Sequence, residues 1–569
     1  MTAMPSWAQT GTKMEAEDAT YKNCEMKTDS KYSGGKALSL KENNAKITFS
    51  YTCSEGGKYT VLAMGEGIGG EKEVAITVNG SAATFKVNAL AEVEVGTFKL
   101  PVGKCTIEIT PSWTWFNIDY IRIEKSTSTI AFDISATPVD GAAVESAKSL
   151  YKFLYENFGK KSISGMMTGN MASAPDKVKE HADIQEFYKR SGKYPALIGF
   201  DFMETTGMNA SKDWAKAYSD KSVALAKDTY KQGGIPAFTW HWRDPSRATV
   251  EFYSEKSTVK IADALNTDGS WNTSSQLYKY IIQDIDAIAD IFLDMQNEGM
   301  ACIFRPLHEA SGGWFWWGRN KNAEHFKKLY KLVFDRMVNV KGVHNVIWVW
   351  NADKNDQDWD PGQNYYDVVS ADIYNKAEDY SSNFVMFDKL KALTGGKKIV
   401  ALSENGPIPD IDAMFEDEAV WSWWMPWYQT WGGNFLDQTT NKELTKIMSD
   451  TRTIGLSDMP GWDHYTGIKQ THTTRQPDSG FFQPERTAIE EKTIKWSVYQ
   501  WRTRVFCKVN HLKSNYEYEK MAHRCSLFGN TYPACTKRER KHPVGRRVEV
   551  CLWECCRPAE RLRLRNRVF

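Results

Sequence analysis

The feature that most constrains the fold is a series of eight short apolar segments separated by longer amphipathic stretches. The apolar segments begin near Ile163, Leu197, Ile235, Ala301, Val346, Val368, Ile399 and Ser422. The intervening stretches, such as 214–232, 276–295 and 323–338, carry apolar residues at helical spacing. Buried strands alternating with helices over about 330 residues predict a (β/α)₈ TIM barrel at 131–460. A doubly wound open sheet is the alternative, but no GxGxxG motif follows the first strand.

The first 125 residues have a different pattern, in which short runs alternate between apolar and polar residues. These runs lie at 46–51, 59–63, 74–78, 106–109 and 120–123. Glycine-rich turns separate the runs, and Asn79-Gly80 between two of them indicates a tight hairpin. The pattern predicts an all-β sandwich of jelly-roll type at 1–125, joined to the α/β barrel by a linker at 126–130.

The end of the chain differs from the rest in charge and cysteine content. Residues 501–569 contain 17 Lys/Arg and 6 Asp/Glu, whereas the whole chain has a net charge of +1. Six of the 10 cysteines lie beyond residue 506, without a CxxC pair. We interpret 461–569 as a basic, Cys-rich tail that is disordered or non-native, for example out-of-frame or vector-derived sequence. A nucleic-acid-binding tail is the alternative, but it has no motif beyond charge.

Two glutamates follow strands that lie across the barrel from each other. The fourth candidate strand ends in RPLHE (305–309) and the seventh ends in LSENG (402–406). Active sites of such barrels lie at the carboxyl ends of the strands. Glu309 and Glu404 could therefore face one another over a ligand, as the two carboxyl groups of a retaining glycosidase do. The tryptophan-rich loop at 311–318 could stack on sugar rings.

Other interpretations of these residues stay open at this point. Glu309 and Glu404 could instead form salt bridges at the mouth of the barrel. A catalytic metal could be held by His241, His308, Asp372 and Glu404, but no HxH or HExxH spacing supports that reading. A nucleophilic serine is disfavoured because no GxSxG motif is present.

RPLHE followed by SGGWFWWG (311–318), together with LSENG, resembles the two catalytic motifs of glycoside hydrolase family 26. Members of that family are retaining (β/α)₈ hydrolases, mostly endo-β-1,4-mannanases. The resemblance, over roughly 131–460, implies endo-acting hydrolysis of β-1,4-mannosidic bonds in mannan, glucomannan or galactomannan without a catalytic cofactor. A β-glucanase or xylanase of the same family, or a non-catalytic carbohydrate-binding protein with a degenerate barrel, is the alternative.

The resemblance also implies a role for individual residues. Glu309 corresponds to the acid/base and Glu404 to the nucleophile, while His308 corresponds to the histidine that contacts the nucleophile and the sugar. The other substrate-cleft residues correspond to His241, Trp314, Asp372, Tyr374 and Trp424. Tyr374 matches the tyrosine that hydrogen-bonds the nucleophile, and Trp424 resembles the tryptophan beneath the cleaved sugar.

The N-terminal module resembles carbohydrate-binding module family 35 over about 14–125. The resemblance rests on EAED (15–18), YSGGKAL (32–38) and WTWFNIDYIRI (113–123). It implies that the loop before the last strand binds sugar. The residues concerned are Trp113, Trp115 and Asn117. Packing of one of these tryptophans in the core is the alternative.

Three acidic residues of the module are candidate metal ligands. Glu15, Glu17 and Asp119 offer carboxylate oxygens, which are the hard ligands that Ca²⁺ prefers. We therefore expect a structural Ca²⁺ in the module, whereas a solvated strand face is the alternative for the glutamate pair.

The substrate determines the partners and location that we expect. The partner is a plant mannan-type polysaccharide, with no nucleic acid and no membrane, and we expect a monomer. No run of 18 apolar residues occurs. The first residues lack the basic and apolar regions of a signal peptide, so the chain is either cytosolic or has lost its signal. Because the expected substrate is a plant polysaccharide, we expect an extracellular enzyme whose signal has been removed.

Deletion of 470–569 tests the interpretation of the tail. We expect the shortened chain to keep its thermal melting temperature and its hydrolytic rate, because neither domain predicted above includes these residues. Thermal unfolding and reducing-end release from mannan measure both properties. Loss of either one would show that the tail is part of the working protein.

Overall fold

Two antiparallel sheets form the N-terminal module. The computed structural model describes residues 11–127, 130–353, 355–430 and 432–462, and the backbone of 498–501 and 504–507. The strands of the module are β1 (Thr12–Glu15), β2 (Thr20–Lys22), β3 (Glu25–Thr28), β4 (Lys36–Leu40), β5 (Lys46–Cys53), β6 (Gly57–Gly67), β7 (Lys72–Val78), β8 (Ser81–Val87), β9 (Ala91–Leu100), β10 (Gly103–Pro111) and β11 (Phe116–Lys125). One sheet has the order β3-β4-β11-β6-β9, with β1 also on β11, and the other has the order β2-β5-β10-β7-β8. The predicted β-sandwich is confirmed.

Side chains that are more buried alternate with less buried ones along the strands, and this alternation explains why the two sheets pack face to face. In β7 the side chains of Val74, Ile76 and Val78 are buried, and the residues between them are half-buried. Burial of such a side chain stabilises the fold by about 1.5–3 kcal/mol. The hairpin between β7 and β8 turns at Asn79 and Gly80, which have φ values of 47° and 93°. A tight two-residue hairpin requires this left-handed backbone, as the sequence predicted.

Eight parallel strands form a closed barrel after the module. They are β12 (Ser162–Met167), β13 (Leu197–Asp201), β14 (Ile235–Thr239), β15 (Cys302–Arg305), β16 (Val346–Asn351), β17 (Val368–Ile373), β18 (Ile399–Asn405) and β19 (Trp423–Pro426). Neighbours in the chain are neighbours in the sheet, and β12 pairs with both β13 and β19. Each strand begins within one residue of its predicted position, so the predicted barrel is confirmed. The short β20 (Thr453–Ile454) adds to β12.

Helices surround the barrel. They are α1 (Glu145–Asn157), α2 (Ala182–Ser191), α3 (Asp213–Lys231), α4 (Gln276–Asn297), α5 (Ala323–Asp335), α6 (Phe384–Leu393), α7 (Ile411–Glu416) and α8 (Asn441–Ser449). Every residue of β12 to β16 is buried. This is expected when helices cover the outside and side chains fill the interior. Between β16 and β17, the described residues form a 3₁₀ turn, Gln357–Trp359, in place of an α-helix.

The module and the barrel belong to one compact unit, and they meet at α6. Val385 of α6 is buried among the apolar residues of the module core. A β-carbon on Gly96 would lie 2.6 Å from Val385 Cγ1, so this close approach requires glycine. Lys389 of α6 forms an ion pair of 2.5 Å with Glu94 of the module. The contact therefore combines a buried apolar anchor with a charged rim.

The predicted tail at 461–569 lies outside the described residues except for Gly461, Trp462 and the strands β21 (Val498–Trp501) and β22 (Arg504–Cys507). The predicted linker is described at residues 126, 127 and 130. None of the described helices has both the length and the apolar character needed to cross a membrane.

Candidate active site

The carboxyl ends of the barrel strands bring the two predicted catalytic glutamates together. Glu309 follows β15, and Glu404 lies near the end of β18. One oxygen each of Glu309, Glu404 and Asp372 lie within 4.8 Å of one another. Carboxyl groups are about 5–5.5 Å apart in retaining glycosidases and about 6.5–9.5 Å apart in inverting ones. The spacing fits the retaining arrangement.

The carboxylate of Glu404 is buried and bonded on both oxygens. The guanidinium of Arg305 contacts Oε1, and the hydroxyl of Tyr374 donates to Oε2 at 2.5 Å. Desolvation of its hydroxyl group and the Glu404 carboxylate hold the pKa of Tyr374 well above its usual value, so the hydroxyl keeps the proton that it donates. The ion pair and the hydrogen bond fix the orientation of the carboxylate, as a nucleophile requires.

Glu309 lies on a turn with an unusual backbone. Leu307 and Glu309 have φ values of 55° and 52°, which residues other than glycine rarely adopt. Each such residue costs on the order of 1–3 kcal/mol, and such strain concentrates at functional sites. The Glu309 N–H donates to Asn351 Oδ1 at 2.8 Å. The indole of Trp314 donates to Glu309 Oε2 at 2.9 Å. These bonds hold the carboxyl group in place despite the strained backbone.

The surroundings of Glu309 favour its protonated form. Burial raises the pKa of Glu309, and the negative charge of Glu404 raises it further. Arg305 and the hydrogen bond from Trp314 oppose this rise without cancelling it. A carboxyl group that keeps its proton at higher pH can act as a general acid.

Asp372 lies beside the two glutamates and already has protein partners on both oxygens. Arg305 Nη1 lies 2.8 Å from Asp372 Oδ2, and Asn351 Nδ2 donates to Oδ1 at 2.9 Å. Burial raises the pKa of Asp372 well above its usual value, although Arg305 opposes the rise. Asp372 therefore belongs to a buried polar network around Arg305.

His241 and His308 form a chain of hydrogen bonds with Asp201. The Asp201 carboxylate accepts from His241 Nδ1 at 2.5 Å and from the His241 backbone N–H at 3.1 Å. His241 Nε2 lies 3.2 Å from His308 Nε2, so one proton is held between the two rings. Burial lowers the pKa of His241, but Asp201 outweighs it and the net change is upward. Burial lowers the pKa of His308, whose Nδ1 lies 3.3 Å from Thr239 Oγ1.

The contacts of His308 differ from those that the resemblance implied. Its two ring nitrogens contact His241 and Thr239, and the described bonds to Glu404 come from Arg305 and Tyr374. His308 therefore supports His241 in this structure.

Trp424 also differs from the expectation. Its side chain has 0% exposure and stacks on Phe187 with ring centroids 6.4 Å apart. A residue buried in this way cannot contact a sugar, so the assignment of Trp424 beneath the cleaved sugar is wrong for this structure. Successive side chains alternate between the two faces of a strand, and Trp424 points outward to the helices. Trp427, just past β19, is the strand-8 tryptophan beside the site, with its ring centroid 6.0 Å from that of His241.

Sequence reasoning assigned no role to three residues of the site. These are Asp201, Arg305 and Asn351. Each is the last residue of its strand, β13, β15 and β16 respectively. A search for polar residues at the ends of the candidate strands would have found all three, because strand ends converge at the mouth of a barrel.

The predicted sugar-binding residues of the module differ in exposure. Trp113 is 56% exposed and Trp115 is 50% exposed, so neither packs in the core. Asn117 is buried, and its Nδ2 donates to Tyr32 Oη and to Glu66 Oε1, both at 2.9 Å. Asn117 therefore lies within a polar network, and the two indole rings form the accessible surface.

The three acidic residues of the module converge on one turn. Asp119 accepts from the Ser33 N–H at 3.0 Å, and Glu15 Oε1 accepts from Ser33 Oγ and from Lys13 at 2.8 Å. Glu15 Oε2 and Glu17 Oε2 are buried without a hydrogen-bond partner among the described residues. Burial raises the pKa of Asp119, and the negative charges of Glu15 and Glu17 add to the rise. Orphaned buried carboxylate oxygens fit a site for a hard cation.

Two protein families match two separate parts of the chain. Residues 139–457 match the family described as "Glycosyl hydrolase family 26", which is more than half of the chain. Residues 12–126 match "Carbohydrate binding module (family 35)". Barrel and sandwich thus correspond to two known families.

Named relatives and solved structures extend the comparison. The chain is 32% identical over 405 residues to "Mannan endo-1,4-beta-mannosidase B" of Piromyces sp, covering 69% of this chain and 67% of the relative. It is 30% identical over 465 residues to "Mannan endo-1,4-beta-mannosidase" of Thermothelomyces thermophilus, covering 79% and 91%. The crystal structure of a Podospora anserina GH26-CBM35 β-(1,4)-mannanase matches with a TM-score of 0.52 and 28% identity, covering 80% of this chain and 100% of that one. The chain therefore belongs to glycosyl hydrolase family 26.

Proposed function

We propose that the protein is an endo-β-1,4-mannanase that cleaves its substrate by a retaining double displacement. The observation that carries the proposal is a pair of carboxyl groups in unlike surroundings, with one oxygen of each within 4.8 Å of the other. Glu404 is paired with Arg305, whereas burial and the Glu404 charge raise the pKa of Glu309. Two carboxyl groups with different environments divide the roles of nucleophile and acid between them.

In the first step, a Glu404 oxygen attacks the anomeric carbon and the glycosidic C–O bond breaks. Glu309 transfers its proton to the leaving oxygen, and a covalent glycosyl-enzyme forms. Tyr374 donates to Glu404 Oε2 and Arg305 pairs with Oε1. These two contacts hold the nucleophile in position for attack.

In the second step, Glu309 acts as a base. Its carboxylate takes a proton from water, the water oxygen bonds to the anomeric carbon, and Glu404 is released. The bond from Trp314 to Glu309 Oε2 stabilises the carboxylate form that this step needs. Catalysis in this family uses protein side chains and needs no cofactor.

The names of the relatives and the solved structure support mannan as the substrate. Trp314 and Tyr374 are 48% and 45% exposed, so both are accessible to a sugar beside the carboxylates. We assign substrate contacts to these two residues and to His241. Asp372 and His308 act through their neighbours, because their polar atoms bond Arg305, Asn351, His241 and Thr239.

The module adds affinity for the polysaccharide. The exposed indole rings of Trp113 and Trp115 offer flat apolar surfaces of the kind that stack on sugars. A binding module joined to an enzyme raises the local concentration of a polymeric substrate. A polysaccharide substrate lies outside the cell, so we propose that the enzyme acts there. We propose that it is a monomer.

A structural Ca²⁺ in the module belongs to the same proposal. The buried oxygens Glu15 Oε2 and Glu17 Oε2, which lack partners in the described part of the chain, would complete its ligand set together with Asp119. The ion would neutralise converging carboxylates and stabilise the turn at Ser33. It has no part in the reaction.

Reducing-end release from purified β-1,4-mannan tests the function, with mixed-linkage β-glucan and xylan in parallel. We expect fast release from mannan alone. Release from β-glucan or xylan alone would be consistent with the mechanism but would contradict mannan as the substrate.

A matched Glu404→Ala variant should lose turnover by at least about a thousandfold while still binding mannan, because it removes the nucleophile. Equal loss of turnover and binding would contradict that role.

The pH profile of a Trp314→Phe variant tests the role of Glu309 as the general acid. The indole hydrogen bond favours the Glu309 carboxylate, so its removal raises the pKa of Glu309 further. The acid must be protonated for the first step, so the rate falls as pH rises through this pKa. We therefore expect the alkaline limb of kcat/KM to move to higher pH by a fraction of a unit. A limb that stays in place, or moves to lower pH, would argue against Glu309 as the acid.

Removal of Ca²⁺ tests the proposed metal site. We expect a chelator to lower the melting temperature of the module and added Ca²⁺ to restore it. A Glu17→Gln variant should melt lower and respond less to the ion. A control Glu180→Gln change, in the barrel, should leave the response intact. A melting temperature that does not depend on Ca²⁺ in the unmodified protein would contradict the site.

A further inference from the structure

We propose that the aromatic face of the module, Trp113 and Trp115, is a distal extension of the catalytic cleft, so that one polysaccharide chain occupies both at once. The inference rests on the proposed function and goes beyond it. A tethered module would bind its own stretch of polymer, whereas a continuous surface binds a single chain. The distinction follows from where the module's aromatic loop meets the barrel.

A short segment of the module, residues 68–73, is hydrogen-bonded to the loop that contains Trp113 and Trp115. The backbone N–H of Ile68 donates to the carbonyl of Trp115 at 2.8 Å. The backbone N–H of Trp113 donates to the carbonyl of Glu73 at 3.0 Å. Both tryptophans are thus fixed to the two ends of a segment of six residues. Glu71 lies between these two attachment points.

The same segment reaches the barrel loop that carries Trp314. Glu71 Oε1 lies 4.0 Å from Lys321 Nζ and 3.3 Å from Lys86 Nζ of the module. Lys321 Cγ lies only 3.2 Å from where a β-carbon would stand on Gly313, the residue before Trp314. The charge of Glu73 also acts on Lys321. The chain of contacts therefore runs from the module tryptophans to the loop that bonds the acid/base.

A second barrel loop approaches the same end of the module. Asp356, after β16, is buried and bonded to the backbone of Asp353 and to Ser311, two residues past Glu309. Burial raises the pKa of Asp356 to about 7, and the nearby Lys86 of the module opposes the rise. Lys86 thus lies near the loops after both β15 and β16, at the mouth of the barrel.

The module is also anchored away from the mouth. Val385 of α6 is buried in the module core, and Lys389 pairs with Glu94. A second pair joins Lys58 of the module to Asp388 of α6 at 3.5 Å. Contacts at two separate places hold a domain more firmly than a flexible linker does, so the aromatic face keeps a fixed position relative to the cleft.

The chemistry of the surface fits a neutral glycan as the occupant. Trp113, Trp115 and Trp314 are each about half exposed, at 56%, 50% and 48%. The contact between the module and the loop of Trp314 carries charges of both signs, Glu71 and Lys321, which can hydrogen-bond hydroxyl groups without attracting an ion of one sign. A β-1,4-linked mannan chain offers apolar sugar faces and hydroxyl groups together. Joining two sites on one chain raises affinity by about 10²–10⁴ over either site alone.

Calorimetric titration of the full-length Glu404→Ala protein with soluble β-1,4-manno-oligosaccharides of increasing length tests the proposal. We expect short oligosaccharides to bind as two molecules per protein, one in the cleft and one on the module. Beyond a threshold length, we expect one molecule per protein and affinity at least about a hundredfold higher. Two long chains per protein, each bound as weakly as a short one, would overturn the proposal.

Variants distinguish binding of one oligosaccharide across both sites from a general increase of affinity with oligosaccharide length. A Glu404→Ala protein that also carries Trp113→Ala and Trp115→Ala should lose the rise in affinity beyond the threshold length, which we call the step in affinity. It should keep one weak site for long and short oligosaccharides alike. Trp214→Ala, which removes a tryptophan of 52% exposure on α3, is the matched control and should keep the step. A step that survives the double change would overturn the inference.

The same experiments distinguish this inference from the proposed function. If the function is wrong, the unmodified enzyme releases no reducing ends from mannan. If only the inference is wrong, the enzyme cleaves mannan but the stoichiometry stays at two for long chains.

Discussion

The buried guanidinium of Arg305 lies between two carboxylates at the mouth of the barrel, and the arrangement of the site depends on it. Arg305 pairs with Glu404 on one side and with Asp372 on the other, and its side chain is only 4% exposed. A buried charge is tolerated only when it is paired and hydrogen-bonded. Removing Arg305 would leave two carboxyl groups in the interior without their cation. The network therefore specifies a single arrangement of the Glu404 carboxylate.

The same network gives Glu309 and Glu404 different surroundings. Arg305 and Tyr374 both contact Glu404, whereas Glu309 receives an indole hydrogen bond and lies on a strained turn. Proximity of the Glu404 charge then helps to raise the pKa of Glu309. The ion pair between Arg305 and Glu404 thus affects both glutamates, because it fixes the carboxylate whose charge favours the protonated form of Glu309. Asn351 fixes the backbone of the strained turn at Glu309.

The relation between the module and the barrel adds a second level of organisation. The module contacts the barrel both at α6 and near the loop of Trp314. Loops at the mouth of a barrel carry function because the strands hold their ends in fixed positions. A rigid neighbour at that mouth lengthens the surface available to a polymer.

The sequence by itself determined the eight barrel strands to within one residue, the β-sandwich, the Asn79-Gly80 hairpin and the positions of Glu309 and Glu404. These features follow from local periodicity, turn chemistry and motifs, which neighbouring residues specify. The strand ends carrying Asp201, Arg305 and Asn351 were visible in the sequence, but their partners were not. Trp424 was misassigned because a tryptophan in a strand can face either the helices or the cleft. Only the tertiary structure decided which face of its strand Trp424 occupies, the distance between the two carboxylates, and the contact of the module with the mouth of the barrel. Each of these depends on residues far apart in the chain, and their meeting is set by barrel closure and domain packing rather than by local pattern.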